Sequence, residues 1–294
     1  MDLSRETTDD GRFRRQPNRF TDHITPEAGR YQLYASLACP WAQRALIVRR
    51  LLGLEEVIGV TIVDPIRDEK GWRFFGKDPV TGAAYLSELY LASDPSFTGR
   101  YTVPCVWDTK ANHLTTNDYP QITLDFETIL APFHAQGAPD LYPERLRAEI
   151  DELNDRLFHG LNNGVYKAGF ARSQEAYDEA VGEVFRTLDF LEERLGGRRF
   201  LFGDDLTESD VRLYTTLARF DAVYHSHFKC MVRRLVDYPR LWSYARDLYR
   251  VPAFRETTDF DHIKRHYYVT QTNINPTGIV PWGPDVDWEA PPAR

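Results

Sequence analysis

The stretch Tyr31-Gln-Leu-Tyr-Ala-Ser-Leu-Ala-Cys-Pro-Trp-Ala-Gln-Arg-Ala-Leu-Ile-Val-Arg-Arg-Leu-Leu-Gly-Leu-Glu-Glu-Val-Ile-Gly-Val-Thr-Ile-Val63 decides how the chain folds. Tyr31 to Ser36 is rich in aromatic and apolar side chains and reads as a strand. From Trp41 to Leu54, apolar residues fall at Ala42, Ala45, Leu46, Val48, Leu51 and Leu52, the spacing of one buried helical face. Val57 to Val63 is a β-branched run and hence a second strand. Strand, helix and strand within 33 residues make a βαβ unit with a right-handed crossover, so an α/β domain begins here.

Upstream, residues 1–29 are polar and broken by Pro17 and Pro26, which predicts an arm that packs on something else or stays loose, with no core there. Downstream, residues 64–100 are irregular and longer than an ordinary connection, so they form either a functional loop or a local insertion. Arg100 to Trp107 reads as a strand interrupted by Pro104, which belongs at an edge or in a cis turn. A helix follows from about Tyr119 to Ile129, with Asn117 or Asp118 as its N-cap. Residues 131–143 have the composition of a linker.

The second half is helical by period. Leu146, Ile150, Leu153, Leu157 and Leu161 mark one buried stripe. Ser173 caps a second helix running through Tyr177, Val184 and Leu191 to a stop at Gly196-Gly197. Thr207-Glu-Ser-Asp210 is a capping-box variant at the head of the next. Pro239 opens a further helix and Pro252 closes it, and the proline-rich tail wraps the surface without regular structure.

A chain of 294 residues is long enough for roughly two domains, each with its own core. A formal net charge of −8 supplies no field to gather phosphate backbones or anionic lipid, which argues against nucleic acid and membrane and for a small-molecule partner. Three scattered cysteines, Cys39, Cys105 and Cys230, make no disulfide framework and fit a reducing cytoplasm.

Cys39 carries the sharpest chemistry. It sits at the strand-to-helix turn, and Pro40 fills the first helical position, where a missing N–H costs nothing. The free amides of the first turn and the macrodipole favour a thiolate there, and cysteines so placed have pKa values lowered to roughly 3.5–7.5. Ala42 stands where a Cys-x-x-Cys motif would put its second thiol, so an external thiol must resolve any mixed disulfide on Cys39. Cys105 and Cys230 read as structural. His225, His227 and Cys230 lack a fourth ligand of matching spacing, so no metal is expected.

Around Cys39, the run Tyr34-Ala-Ser-Leu-Ala-Cys-Pro-Trp-Ala-Gln-Arg44 resembles the Xi class of glutathione transferases, the glutathionyl-hydroquinone reductases. The resemblance continues through Gly71-Trp72, Ser96 to Pro104, Asn162 to Phe170, Leu206 to Leu213, Arg219 to Cys230, Phe260 to Tyr267 and Asn275 to Gly278. It implies an α/β thioredoxin-like N-terminal domain plus an all-α C-terminal domain. The expected organisation is an N-terminal arm over 1–29, a thioredoxin-like thiol-binding domain over 30–130, the linker over 131–143, an all-helical substrate domain over 144–268 and an irregular tail over 269–294.

The resemblance also implies a reaction. Cys39 attacks the thioether sulfur of a glutathionyl-hydroquinone, the hydroquinone leaves, and a second glutathione resolves the mixed disulfide. Tyr166 then serves as proton donor or acceptor at the aromatic substrate, while Tyr224 and Tyr267 lower the cysteine pKa. Trp72, Arg100, Tyr101, Thr102, Val103 and the pair Asp118-Tyr119 bind the thiol, with the Val103 backbone pairing like an added strand. The family pair is normally Glu-Ser. The shorter carboxylate and bulky phenol here raise the alternative of a related thiol without a γ-glutamyl group, such as mycothiol. A non-catalytic binding protein of the same fold is a further alternative. A homodimer is the expected assembly, and an aromatic thioether the expected substrate.

Overall fold

The computed structural model describes residues 6–292. Strand β1, Tyr31–Ala35, leads into helix α1, Pro40–Leu51, and back into β2, Ile58–Ile62. β1 and β2 pair in parallel, as the βαβ reading requires. After α2, Leu86–Ser93, come β3, Cys105–Asp108, and β4, His113–Thr116. Both are antiparallel to their neighbours, giving the order β2-β1-β3-β4. Helix α3, Tyr119–Thr128, packs beside α1 and completes a thioredoxin-like domain. Leu33, Ala35, Ile47, Val48, Val106 and Phe126 are fully buried in its core.

The strand expected over Arg100 to Trp107 starts only at Cys105. The Val103-Pro104 peptide is cis and Pro104 offers no ladder donor, so the preceding residues turn away as loop. Asp118 occupies the N-cap of α3, but its carboxylate caps nothing. It accepts from Asn18 Nδ2 at 3.1 Å instead.

The helical half contains α4, Arg147–Leu157, α5, Gly164–Gly169, α6, Gln174–Arg194, α7, Glu208–Arg219, α8, Pro239–Tyr249, α9, Pro252–Arg255, and α10, Phe260–Thr270. Ser173 caps α6 and Thr207 with Asp210 forms the capping box of α7. Two π-helical turns, Phe158–Asn162 and Phe220–Tyr224, follow α4 and α7. The first interrupts the stripe expected to run unbroken to Leu161. Turns of this kind are rare and recur at functional sites. Pro252 opens α9, and α8 has already ended at Tyr249. Trp288 of the tail packs against Trp242, with ring centroids 4.9 Å apart.

The arm packs on the rest of the molecule instead of staying loose and, against expectation, adds to the core. Phe13 and Ile24 are buried in the core, and Phe13 lies 5.2 Å from Phe170, ring centroid to centroid. Asn117 Oδ1 accepts from the amides of Arg19 and Phe20. A segment without periodicity is thus tied down by two aromatic or aliphatic anchors and by hydrogen bonds to the next domain, a long-range arrangement that local patterning does not encode.

Candidate active site

A cleft lined by both halves lies between them. Cys39 opens into it from the N-cap of α1, with extended backbone (φ −84°, ψ 120°) and Pro40 at the first helical position. The side chain is only partly exposed, and its thiol donates to the Val103 carbonyl at 3.3 Å. The sulfur therefore faces the backbone before the cis proline.

The environment of the thiol contradicts the expectation of a lowered pKa. Burial, the largest influence, pushes it up. The amides of Ala42 and Trp41 and the charges of Arg219 and Arg15 act the other way without overcoming it. The helix-start amides are where the sequence reading put them. That reading omitted the desolvation that follows when the helical half closes over the sulfur. Burial favours the neutral thiol, and the groups around it favour the thiolate.

Arg219 is the strongest of the cations acting on Cys39. It is fully buried on α7, where Nε donates to Ala38 O and Nη2 to Leu37 O, each at 2.9 Å. Nη1 donates to Gln43 Oε1 at 2.5 Å and to Thr215 O at 2.7 Å. One guanidinium thus braces the turn immediately before the cysteine. Buried cations need such complete hydrogen bonding to be tolerated.

Three tyrosines meet at the helical wall. Tyr166 Oη lies 2.5 Å from Tyr267 Oη and 3.4 Å from Tyr224 Oη, and the last two are 3.1 Å apart. All three are raised in pKa, first by burial; for Tyr166 the next cause is the negative charge that Cys39 would carry. Tyr166 and Tyr267 line the cleft, whereas Tyr224 stands behind them. The hydroxyls of Tyr224 and Tyr267 hydrogen-bond to Tyr166 and to one another, and the sulfur's hydrogen bond goes to Val103. Their geometry supports Tyr166 directly and bears on Cys39 only through it.

In the lining of the same cleft, Trp72 stacks on His266 at 4.8 Å, with Arg67 over the tryptophan face at 5.2 Å. Burial and the nearby Arg67 charge hold His266 neutral, its pKa down to about 3. Its Nδ1 donates to Pro65 O at 2.7 Å, which leaves Nε2 as an acceptor. Arg100, Tyr101, Thr102, Val103 and Tyr119 also line the cleft. Arg100 Nη2 is held by Glu6 Oε1 at 2.7 Å. Asp118 does not line the cleft, and burial raises its carboxyl pKa. Tyr119 packs on Trp41 with centroids 4.6 Å apart.

The sequence reading missed Arg15, Arg67, His266 and Arg219. Arg67 lines the cleft from the 64–100 segment, which is not irregular throughout because it holds α2, and Arg15 lines it from the arm. Among the described residues no group of His, Cys, Asp or Glu could hold a metal, and His227 pairs with Gln271. No helix among them is long and apolar enough to cross a membrane.

A thioredoxin-like sheet whose first helix opens on a cysteine, facing an all-helical domain across one cleft, defines the glutathione transferase class of protein. Residues 38–129 match the family model of the glutathione S-transferase N-terminal domain and residues 174–247 that of the C-terminal domain. Glutathionyl-hydroquinone reductase YqjG of Escherichia coli is 46% identical, covering 97% of this chain and 92% of its own. Its glutathione-bound structure aligns with a TM-score of 0.89 at 45% identity, covering 93% of this chain and 95% of that one. The glutathione-S-transferase Xi of Phanerochaete chrysosporium aligns with a TM-score of 0.95 at 45% identity, covering 99% and 98%. This chain belongs to the Xi class of glutathione transferases, the glutathionyl-hydroquinone reductases.

Proposed function

We propose that the protein removes glutathione from S-glutathionyl-hydroquinones. Cys39 attacks the glutathionyl sulfur, forming an S–S bond as the aryl C–S bond breaks. Tyr166 supplies the proton that the ring carbon takes up, and Tyr224 and Tyr267 hold its hydroxyl in place. A second glutathione then attacks the mixed disulfide, releasing glutathione disulfide and restoring the Cys39 thiol. Trp72, Arg100 through Val103 and Tyr119, which line the cleft, hold the tripeptide, with the Val103 backbone as its extended partner, while Asp118 stands outside the cleft. The reaction runs in the cytoplasm, in a homodimer.

The observation that carries this reading is the shared opening of Cys39, Val103 and Tyr166 into one cleft. Burial of the thiol does not oppose it. The Cys39 proton leaves to water before attack, the Ala42 and Trp41 amides and Arg219 stabilise the thiolate so formed, and its charge passes to the departing ring as the S–S bond closes. Chromatographic assay of an S-glutathionyl-hydroquinone with glutathione tests the reading: free hydroquinone and glutathione disulfide are expected in equal amounts, and an inert wild-type protein would contradict it.

Asp118 and Tyr119 favour a second reading, in which the working thiol is mycothiol. The Asp118 carboxylate is engaged by Asn18, and Tyr119 fills space against Trp41. Both leave less provision for a γ-glutamyl group. Comparison of kcat/KM for the glutathionyl and mycothiol conjugates of one hydroquinone decides between the two thiols.

A further inference from the structure

The arm brings one cation into the cleft beside three aromatic rings. Arg15 Cζ lies 4.7 Å from the Tyr166 ring centroid, 4.9 Å from that of Trp41 and 5.5 Å from that of Phe13. Its Nε donates to Asn163 Oδ1 at 2.8 Å, which fixes the plane of the guanidinium. Its Nη2 is shielded from water and has no hydrogen-bond partner. A desolvated guanidinium N–H without an acceptor is costly, and such a group lining a cleft is poised for an acceptor carried by a ligand. Arg219, by contrast, spends its donors on protein oxygens.

The position of Arg15 indicates which half of the substrate it meets. Trp72, Arg67 and His266 form a separate cluster in the lining of the cleft. Arg15 is packed among Tyr166, Trp41 and Phe13, where a second aromatic ring would stack. We infer that Arg15 is a catalytic residue that binds the ring oxygen next to the sulfur-bearing carbon of an aryl thioether and stabilises the negative charge that oxygen gains as the C–S bond breaks.

This inference rests on the proposed reductase reaction, whose electron balance calls for such a group. Tyr166 protonates the sulfur-bearing carbon and the adjacent ring hydroxyl gives up its proton, which restores the Tyr166 hydroxyl, so that the ring becomes its keto tautomer. Cys39 thiolate then attacks the sulfur. The S–S bond forms, the C–S bond breaks, and its electron pair moves into the ring and onto the keto oxygen, which becomes a phenolate. The sulfur is oxidised to the disulfide level and the ring carbon is reduced to C–H. A fork-shaped cation in a dry site is well suited to a phenolate oxygen. The same charge favours ionisation of Cys39 and of Tyr166.

The test compares two substrates of one enzyme. An S-glutathionyl-hydroquinone expels a phenolate, whereas the mixed disulfide of glutathione and 2-mercaptoethanol expels an alkyl thiolate and needs no ring-oxygen partner. Arg15→Met is expected to lower kcat on the aryl conjugate roughly 10²-fold and to change the mixed-disulfide rate less than about tenfold. Arg15→Lys keeps the charge without the fork and is expected to lose about tenfold on the aryl conjugate alone; it also serves if Arg15→Met does not fold. Equal losses on both substrates, no loss on either, or a raised KM for glutathione with kcat intact would overturn the assignment of Arg15 while leaving the reductase reading standing. A wild-type protein active on the disulfide and inert on the aryl conjugate would overturn both.

Discussion

The two walls of the cleft are built by different means. The thioredoxin-like wall works through its backbone: the Val103 carbonyl, the amides of Trp41 and Ala42, and a turn whose carbonyls are gripped by Arg219. The helical wall works through side chains: three tyrosine hydroxyls from α5, the Phe220–Tyr224 turn and α10, with Arg15 laid over the Tyr166 ring by the arm. In the proposed reaction the first wall carries the sulfur chemistry and the second meets the ring and handles the proton.

Breaking the first wall has the largest effect. Cys39→Ala removes the nucleophile, and activity on an S-glutathionyl-hydroquinone is expected to fall roughly 10³-fold or more, with thermal unfolding unchanged. Retained activity would mean that the sulfur wall is not where chemistry begins. Tyr166→Phe tests the second wall by removing one hydroxyl from an otherwise intact packing. General acid catalysis is worth about 10²–10⁴-fold, so kcat should drop by that order while alkylation of Cys39 by iodoacetamide persists.

Arg219→Met sharpens the distinction because this residue belongs to the helical wall and acts on the sulfur wall. It leaves the Leu37 and Ala38 carbonyls without their donor, and a stability loss on the order of 3 kcal/mol is expected in urea unfolding. Loss of its charge also moves the Cys39 pKa further up, so the alkylation profile shifts to higher pH. An unshifted profile would remove Arg219 from the account of the thiol.

The smallest effect concerns pH. In the unfolded chain a histidine takes a proton near 6.5, whereas folded His266 does so only at about 3. Between those values the unfolded state binds the extra proton, so this residue's contribution to stability is complete above pH 6.5 and drains away as the pH falls toward 3. His227, held down to about 4 by burial, adds the same sign over a narrower range. His266→Gln should flatten the fall in urea midpoint between pH 6.5 and 4, and an unchanged slope would mean that His266 is not buried neutral.

The legible part of the molecule follows the same division. The turn at Cys39-Pro40, the βαβ unit, and the caps at Ser173 and Thr207 are encoded by neighbours in sequence, so spacing alone recovers them. Tyr166, Tyr224 and Tyr267 come together over separations of 43 to 101 residues, and only likeness to a family singled them out. Arg15 and Arg67 carry no local signal, because each enters the cleft from an irregular segment positioned by tertiary packing. The direction of the Cys39 pKa was misread for a related reason. Helix-start amides are local, whereas the burial that outweighs them comes from residues far along the chain.

Mass spectrometry of the protein mixed with an S-glutathionyl-hydroquinone, quenched with acid before free glutathione is added, tests the central claim most directly. One glutathionyl group on Cys39, appearing in step with one equivalent of released hydroquinone, is the predicted result. Release of hydroquinone with Cys39 unmodified would contradict it.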